Sequence, residues 1–193
     1  EYYIAENCDD IMRLKGFDYI VGMGDNYTNL CGFCDVYNNI IYSNAKKGEN
    51  YEHELTRLIN TSFPNAHGIF LNGLSDYFIE DNNKMGLTLR EHFKRMDEYL
   101  KKHPEIDMYN IEAFYQMDNV TTPSYFLGLI ITQMTLEKGG LELLKKGLNN
   151  GYSNESLYEF IDKELGVKRK DLTKILRARI RQYSKEDFRK IQL

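Results

Sequence analysis

Residues 51–60 read YEHELTRLIN, and this stretch decides the predicted fold. It follows a strand-like apolar burst and a polar turn, and its apolar residues recur at helical spacing. The spacing predicts a helix from about residue 49 to residue 61. On that helix His53 and Arg57 are four residues apart and share one face, with Glu54 beside them. Three apolar side chains are predicted to point to the core: Leu55, Leu58 and Ile59.

The same ten residues carry an incomplete metal-binding motif. In the His-Glu-x-x-His pattern, two histidines on adjacent turns hold Zn²⁺ and the glutamate activates the metal-bound water. Here His53 and Glu54 fill the first two positions, but Arg57 stands where the second histidine would be. A guanidinium stays protonated at any ordinary pH and cannot ligate a cation. The stretch therefore keeps one ligand and the general base but lacks the second ligand.

A second segment, residues 65–78, reads NAHGIFLNGLSDYF. Together with residues 51–60 it resembles the gluzincin metallopeptidases, whose second zinc-binding helix has the pattern Glu-Gly-Leu-Ala, a spacer and an aromatic pair. In that family the glutamate is the third zinc ligand, and an aspartate one turn later braces a ligand histidine. The resemblance places Asn72 at the ligand position and Asp76 at the bracing position. The amide oxygen of Asn72 is neutral and a weak ligand for Zn²⁺.

The resemblance extends beyond the two motifs, over about residues 15–182. Residues 122–128, TPSYFLG, open an apolar helix, and residues 137–144, EKGGLELL, follow as in the helical half of such peptidases. The resemblance implies a zincin-like α+β fold, in which a small N-terminal mixed sheet is followed by a mainly helical lobe that closes a cleft. Within that lobe Tyr125 is the best candidate for a tyrosine that lines the pocket.

The altered ligand set predicts a metallopeptidase-like domain that has lost zinc and catalysis, because zinc sites use three or four protein ligands. Arg57 is expected to replace the metal electrostatically by pairing with Glu54, and Asp76 is its second candidate partner. No cofactor is then expected. The former substrate groove becomes the predicted contact surface for a peptide or protein.

Two alternatives remain open at the level of sequence. An active but atypical zinc metallopeptidase would use His53, His67 and Asp76 as ligands and Glu54 as base. A lone histidine after Pro-Asn-Ala, such as His67, more often caps or packs a helix start. The other alternative is a purely structural domain whose groove is filled by its own side chains.

Composition and charge limit the kinds of partner that the sequence predicts. The 193 residues include 25 Lys and Arg against 29 Asp and Glu, a net charge of −4, and 42% are hydrophobic, which is ordinary for a globular chain. Such a chain is a poor nucleic-acid binder, so no nucleic-acid partner is expected. The sequence has no apolar run of about eighteen residues, so no membrane span is expected. The excess of Lys and Arg over residues 163–190 predicts a solvated terminal helix docked on an acidic body, with an anion-binding or nucleic-acid-binding patch as the less favoured alternative.

The order of the predicted elements is a small sheet followed by helices. Residues 1–16 show helical spacing and are predicted as a helix, while residues 17–43 hold strand-like bursts such as Tyr19-Ile20-Val21. After these the helical periodicity is nearly continuous, with predicted breaks that include Pro123 and Gly139-Gly140. We expect one domain, with a sheet-containing part at about residues 1–48 and a helical part at residues 49–193, cut from a longer chain.

One helix of the second part is predicted in more detail. Residues 87–104 form an amphipathic stretch in which Leu89 and Met96 lie on an apolar stripe. His92 and His103 stand among charged residues and are predicted to face solvent.

The three cysteines leave several pairings open. Cys31 and Cys34 are neighbouring thiols that lack the second pair a structural zinc site needs, and no thioredoxin-like context follows them. In an oxidising compartment Cys8 can cross-link to one of them instead. The sequence does not fix the compartment, and an extracytoplasmic or secreted location is compatible with it.

Overall fold

The computed structural model describes residues 1–6, 10, 32–35, 38, 40–44, 52–77, 87–118 and 120–188, with the backbone alone for residues 32–34, 44 and 52–55. Two compact units are present, Glu1–Pro64 and Asn65–Leu193, and each is described by itself. Among the described residues, the first holds a sheet and the helix Glu52–Asn60, and the elements of the second are all helices or helical turns. The mixed α+β class predicted from the sequence is therefore confirmed.

The first unit contains a three-stranded mixed sheet. Its strands are β1 (Tyr2–Ala5), β2 (Gly32–Asp35) and β3 (Ile40–Asn44), in the order β1-β3-β2. Strand β1 runs parallel to β3, with Tyr2 opposite Ile41, and β2 runs antiparallel to β3, with Phe33 opposite Tyr42. Ile41, Tyr42 and Ser43 of the central strand are buried. The prediction of a mixed sheet near the N-terminus is confirmed.

The prediction of a helix over residues 1–16 is wrong for its first turn, because Tyr2–Ala5 is strand β1. The run Tyr-Tyr-Ile is rich in residues that favour strands. A four-residue apolar run is ambiguous, and its parallel partner β3 lies far along the chain, where periodicity cannot detect it. Asp10 is helical. The rest of the predicted helix and the predicted strand at Tyr19-Ile20-Val21 lie outside the described residues.

Helix α1 (Glu52–Asn60) forms where the sequence predicts it and packs on β2 and β3 in the first unit. Its buried side includes Thr56 and Asn60, which are 6% and 8% exposed, whereas Ile59 is 59% exposed. The prediction that Ile59 points to the core is therefore wrong. Thr56 and Asn60 are four residues apart and define the buried face, and Ile59 lies about 100° away from Asn60 around the helix axis.

The second unit is organised by a close crossing of α2 (Gly68–Tyr77) and α4 (Pro123–Leu148). A Cβ atom placed on Gly73 would lie 2.1 Å from the carbonyl carbon of Gly128, and one on Gly128 would lie 2.2 Å from the carbonyl oxygen of Ile69. The two backbones therefore touch where both residues are glycine. Side chains at these positions would force the helices apart.

The ends and bends of these helices follow local sequence rules. Pro123 starts α4 at a position where its missing N–H is not needed. The predicted break at Gly139-Gly140 is confirmed as a kink within α4, and Gly140 has φ +60°. A side chain is rarely tolerated at that backbone angle, so Gly140 permits the bend. Helix α5 (Asn154–Phe160) follows, and a π-helical turn (Ile161–Leu165) extends it to Gly166.

Helices α3 (Leu89–Lys102) and α6 (Leu172–Tyr183) pack against each other in the same unit. The start of α3 is fixed by a capping box, in which the Thr88 hydroxyl accepts a hydrogen bond from the N–H of Glu91 and the Glu91 side chain accepts one from the N–H of Thr88. Two short 3₁₀ turns, Ile111–Phe114 and Arg169–Asp171, complete the described elements.

Among the described residues, no helix combines the length and the apolar character needed to cross a membrane.

The C-terminal helix is attached through its arginines as well as its apolar face. Arg177 donates from Nη1 to the carbonyl oxygen of Leu100 (2.9 Å) and from Nη2 to those of His103 (3.1 Å) and Ile106 (2.8 Å). Carbonyls at a helix C-terminus lack intrahelical donors, so one guanidinium caps the end of α3. Arg179 pairs with Glu137 of α4 at 2.7 Å.

These contacts bear on the predicted docked basic helix. Four α6 side chains are buried in the second unit, and they are Leu172, Leu176, Ile180 and Tyr183. Arg177 and Arg179 are satisfied by groups of the protein itself. The described part of the basic segment is therefore a helix docked through its apolar face and two of its arginines.

Candidate functional site

The first motif segment lies on α1, in the first unit. His53 and Glu54 are in regular helix, and their side chains lie outside the described residues. Arg57, at the position of the second histidine, is one turn further along the helix and is exposed. The pairing of Arg57 with Glu54 stays a prediction. What the structure adds is that Arg57 stands on a regular helical turn, at the i+4 spacing the motif requires.

The second motif segment lies on α2, in the second unit. Asn72, at the position of the third ligand, is half-buried, and Asp76, one turn later, is only 3% exposed. The four-residue spacing puts both on one side of α2. Gly73 and Leu74, which match the family pattern, are buried, and Gly73 forms the close contact with Gly128. In this chain the absence of a Cβ at position 73 therefore serves helix packing.

His67 precedes α2 and holds its start in place. The N–H of Ile69 donates to His67 Nδ1 at 3.2 Å, and His67 Nε2 lies 2.9 Å from Asn154 Oδ1. An Nδ1 that accepts and an Nε2 that donates define the neutral tautomer with the proton on Nε2. The side chain is 7% exposed. This geometry is that of the capping interpretation, because both ring nitrogens are already occupied and neither is left for a metal ion.

Tyr125 lies in the first turn of α4 and is half-buried. Its N–H donates to the carbonyl of Thr122 at 3.2 Å, as expected at a helix start. Its predicted role as a pocket-lining tyrosine stays a prediction. A shallow polar cavity of about 110 Å³ lies elsewhere in the second unit, beside Glu137, Arg179 and Tyr183, and no predicted site residue lines it.

The prediction that His92 faces solvent is wrong, since His92 is fully buried. Its Nδ1 lies 3.0 Å from Thr121 Oγ1, and its ring stacks on Phe126 with centroids 4.6 Å apart. The apolar stripe already contained the signal: His92 lies three residues after Leu89 and four before Met96, on the buried side of α3. The prediction followed the polar, charged surroundings of His92 in the sequence and not its position on the apolar stripe. His103, by contrast, is partly exposed beside Glu105.

Thr121 connects His92 to an ion pair. Arg95 donates from Nε to Thr121 Oγ1 at 3.0 Å and from Nη2 to Asp118 Oδ2 at 2.5 Å. Burial alone would raise the pKa of Asp118, but the N–H groups of Thr121 and Val120 and the Arg95 guanidinium outweigh it and hold that pKa below its usual range. His92 and Thr121 are both fully buried. The network fixes the segment before α4 against α3 and does not offer a nucleophile to solvent.

Metal-binding groups do not cluster within the part of the chain that the structure describes. There, no three His, Cys, Asp or Glu side chains come together in a way that could hold an ion. The side chains of His53 and Glu54 are not in that set. Cys8 and Cys31 lie outside the described residues and Cys34 is described by its backbone in β2 alone, so the cysteine pairing stays a prediction.

Comparison of the chain with family models, with curated proteins and with solved structures gives no match. The gluzincin resemblance therefore rests on the residues themselves.

Proposed function

We propose that the chain is a zincin-like metallopeptidase domain that has lost zinc and catalysis and acts as a binding module. The observation that carries the proposal is the occupancy of the ligand positions on two regular helices. Position 57 on α1 holds an exposed arginine, and position 72 on α2 holds an asparagine. Three protein ligands are the minimum that catalytic zinc sites use. Under the resemblance His53 alone remains.

Electrostatics supports the loss of metal. A guanidinium about 4 Å from Zn²⁺ opposes its binding by about 8 kcal/mol at an effective dielectric constant near 20. A side chain that swings away escapes this repulsion but supplies no ligand. Arg57 therefore either opposes a zinc ion held by the neighbouring turn or, if it swings away, leaves that ion one ligand short.

The geometry of His67 argues against the active alternative. That alternative needs His67 as a ligand in place of the missing histidine. Its Nε2 and Nδ1 instead bind Asn154 and the N–H of Ile69. Recruiting His67 to a metal would break one of these hydrogen bonds and uncap α2, at a cost of about 1 kcal/mol for the cap alone.

The packing of α2 is intact although the proposed zinc-ligand positions are altered, and this combination favours a binding role over peptide hydrolysis. On α2, Asp76 is buried and Gly73 makes a close contact with Gly128. We propose that the partner is a peptide or protein segment held in the former substrate groove. A groove filled by the domain's own side chains would give a structural module instead.

Restoring the ligands tests the proposal. The double variant Arg57→His with Asn72→Glu is expected to bind one zinc per chain, because it rebuilds the set of two histidines and one carboxylate. The matched control is Arg57→His with Asn72→Gln, which removes the same cation but adds no carboxylate. Zinc is quantified by mass spectrometry after purification without chelator and dialysis against buffer that contains trace zinc.

The unaltered chain and the control are expected to hold no stoichiometric zinc. Zinc in the control at the level of the restored variant would show that Asn72 is not a ligand position. Absence of zinc from the folded restored variant would contradict the zincin-like arrangement itself. Folding is checked by far-ultraviolet circular dichroism on the same samples.

A further inference from the structure

The sequence contains two Asn-Gly dipeptides, Asn72-Gly73 and Asn150-Gly151. Asparagine before glycine is chemically labile, because glycine has no Cβ to shield its backbone nitrogen from the neighbouring carboxamide. The reaction also needs a backbone that can bring this nitrogen to the carboxamide carbon. The two dipeptides lie in opposite environments, so the fold distinguishes between identical local sequences.

Asn150-Gly151 lies in the connection between α4 and α5. Gly151 has φ +112°, outside the range that a side chain readily adopts. Among the described residues, no acceptor receives a hydrogen bond from the Gly151 N–H, which leaves this nitrogen outside the helical ladder. The next residue, Tyr152, is 77% exposed. Water therefore has access to the turn.

The carboxamide of Asn150 is held over the same turn. Its Nδ2 donates to the carbonyl oxygen of Ser156 at 2.6 Å, and its backbone N–H donates to Gly147 at 3.2 Å. These contacts restrict the side chain to the inside of the turn that Gly151 completes. The reacting carbon and the glycine nitrogen are thus two neighbouring groups of one short, partly exposed segment.

Asn72-Gly73 is protected by its surroundings. Both residues lie inside α2, where the N–H of residue 73 belongs to the helical ladder. Gly73 is also packed on the backbone of Gly128, so the helix cannot deform locally without breaking the crossing with α4. Reaction at Asn72 requires α2 to open first.

We propose that Asn150 is a site of spontaneous deamidation in the folded protein and that Asn72 is not. The Gly151 backbone nitrogen forms a bond to Asn150 Cγ and loses its proton to solvent, while the Cγ–Nδ2 bond breaks and the –NH2 group takes a proton from solvent and leaves as ammonia. The resulting succinimide then takes up one water molecule. Opening at one carbonyl gives aspartate, and opening at the other gives isoaspartate, with no change of oxidation state.

Modification changes the turn that leads into α5. The donor at Nδ2 is replaced by a carboxylate oxygen facing the Ser156 carbonyl, so a hydrogen bond of 2.6 Å becomes a repulsion between two acceptors. Isoaspartate also lengthens the backbone by one carbon at this position. The Gly151 backbone approaches Ser156 closely enough that a Cβ would lie 2.8 Å from its Oγ, so little room exists for the longer chain.

The experiment is a time course of the intact folded chain at mildly alkaline pH and 37 °C, with peptide mapping by mass spectrometry. Trypsin places Asn72 and Asn150 in different peptides, and fragmentation locates the converted residue. Asn150 is expected to convert at least about tenfold faster than Asn72, because Asn72 reacts only from an opened helix. A parallel sample in concentrated urea is expected to convert both at similar rates. An Asn150→Ser variant is expected to lose the fast conversion.

Two results would overturn the proposal. One is an Asn150 that stays intact in the folded chain while it reacts in urea, which would show that the turn protects it. The other is equal conversion at Asn72 and Asn150 in the folded chain, which would show that the fold does not discriminate between them. Neither result depends on whether the domain binds zinc.

Discussion

Alanine at position 128 is expected to lower the free energy of unfolding by about 3 kcal/mol, the upper end of the usual cost of overpacking. The new Cβ would lie 2.2 Å from the carbonyl oxygen of Ile69 and 2.7 Å from the backbone nitrogen of Gly73. Backbone atoms cannot move away by changing rotamer, so α2 and α4 must separate. The gain in helix propensity from alanine, about 1 kcal/mol, is too small to offset this. Gly73→Ala is expected to behave in the same way.

Urea unfolding followed by circular dichroism measures the effect, and Gly68→Ala is the matched control. Gly68 is exposed, and a Cβ there would meet no atom within 4 Å. Its substitution is expected to change stability by less than about 0.5 kcal/mol. Because Gly73 and Gly128 share one contact, the double variant is expected to lose less than the sum of the two single losses. Single variants as stable as Gly68→Ala would contradict the close crossing of the helices.

Replacing Arg177 by methionine is expected to cost about 2–3 kcal/mol, since hydrogen bonds to a charged group contribute about 1.5–3 kcal/mol. Methionine keeps an apolar stem but leaves the carbonyls of Leu100, His103 and Ile106 without this donor. The C-terminal end of α3 is expected to loosen with them. Hydrogen exchange measured by mass spectrometry should show faster exchange at the end of α3 and in α6.

Arg181→Met is the control for Arg177. The Arg181 side chain is 61% exposed, and its Nε lies 3.7 Å from Asp97 Oδ1. Asp97 is nearly buried but keeps its closer ion pair with Lys101 at 2.5 Å, so loss of the exposed Arg181 is expected to cost about 0–1 kcal/mol. Equal losses in the two variants would show that the capping of α3 by Arg177 does not stabilise the unit, and that general charge effects of α6 do.

The helices of the second unit were largely predictable because their signals are local. The helix from Pro123 and its kink at Gly139-Gly140 were indicated by proline and glycine. Strand β1 was not, because its partner among the described strands is a parallel strand far along the chain. Local spacing cannot reveal a pairing of that kind.

The candidate site was predictable to the level of residue types. The resemblance places Arg57 and Asn72 at ligand positions, and the sequence offers two interpretations of His67. Only the structure identifies Asn154, 87 residues away, as the side chain that binds His67 Nε2. The contact of Gly73 with Gly128 is also invisible in sequence, although both glycines belong to segments that resemble the family.

The buried polar network around Thr121 could not be predicted from sequence patterns, for a different reason. His92 sits on the apolar stripe of α3, yet a charged neighbourhood suggested a solvent-facing side chain. Its burial depends on partners from another segment, namely Thr121 and Phe126. A buried histidine needs such hydrogen-bonding partners, and these come from the tertiary structure.

The central claim is tested most directly by zinc content and peptide hydrolysis measured on the same sample of the unaltered chain, purified without chelator. We expect no stoichiometric zinc, and we expect the same negligible hydrolysis of a mixed peptide substrate in the unaltered chain and in Glu54→Gln. One zinc per chain that disappears in His53→Ala, together with hydrolysis that disappears in Glu54→Gln, would contradict it. That result would identify an active metallopeptidase with an unusual ligand set.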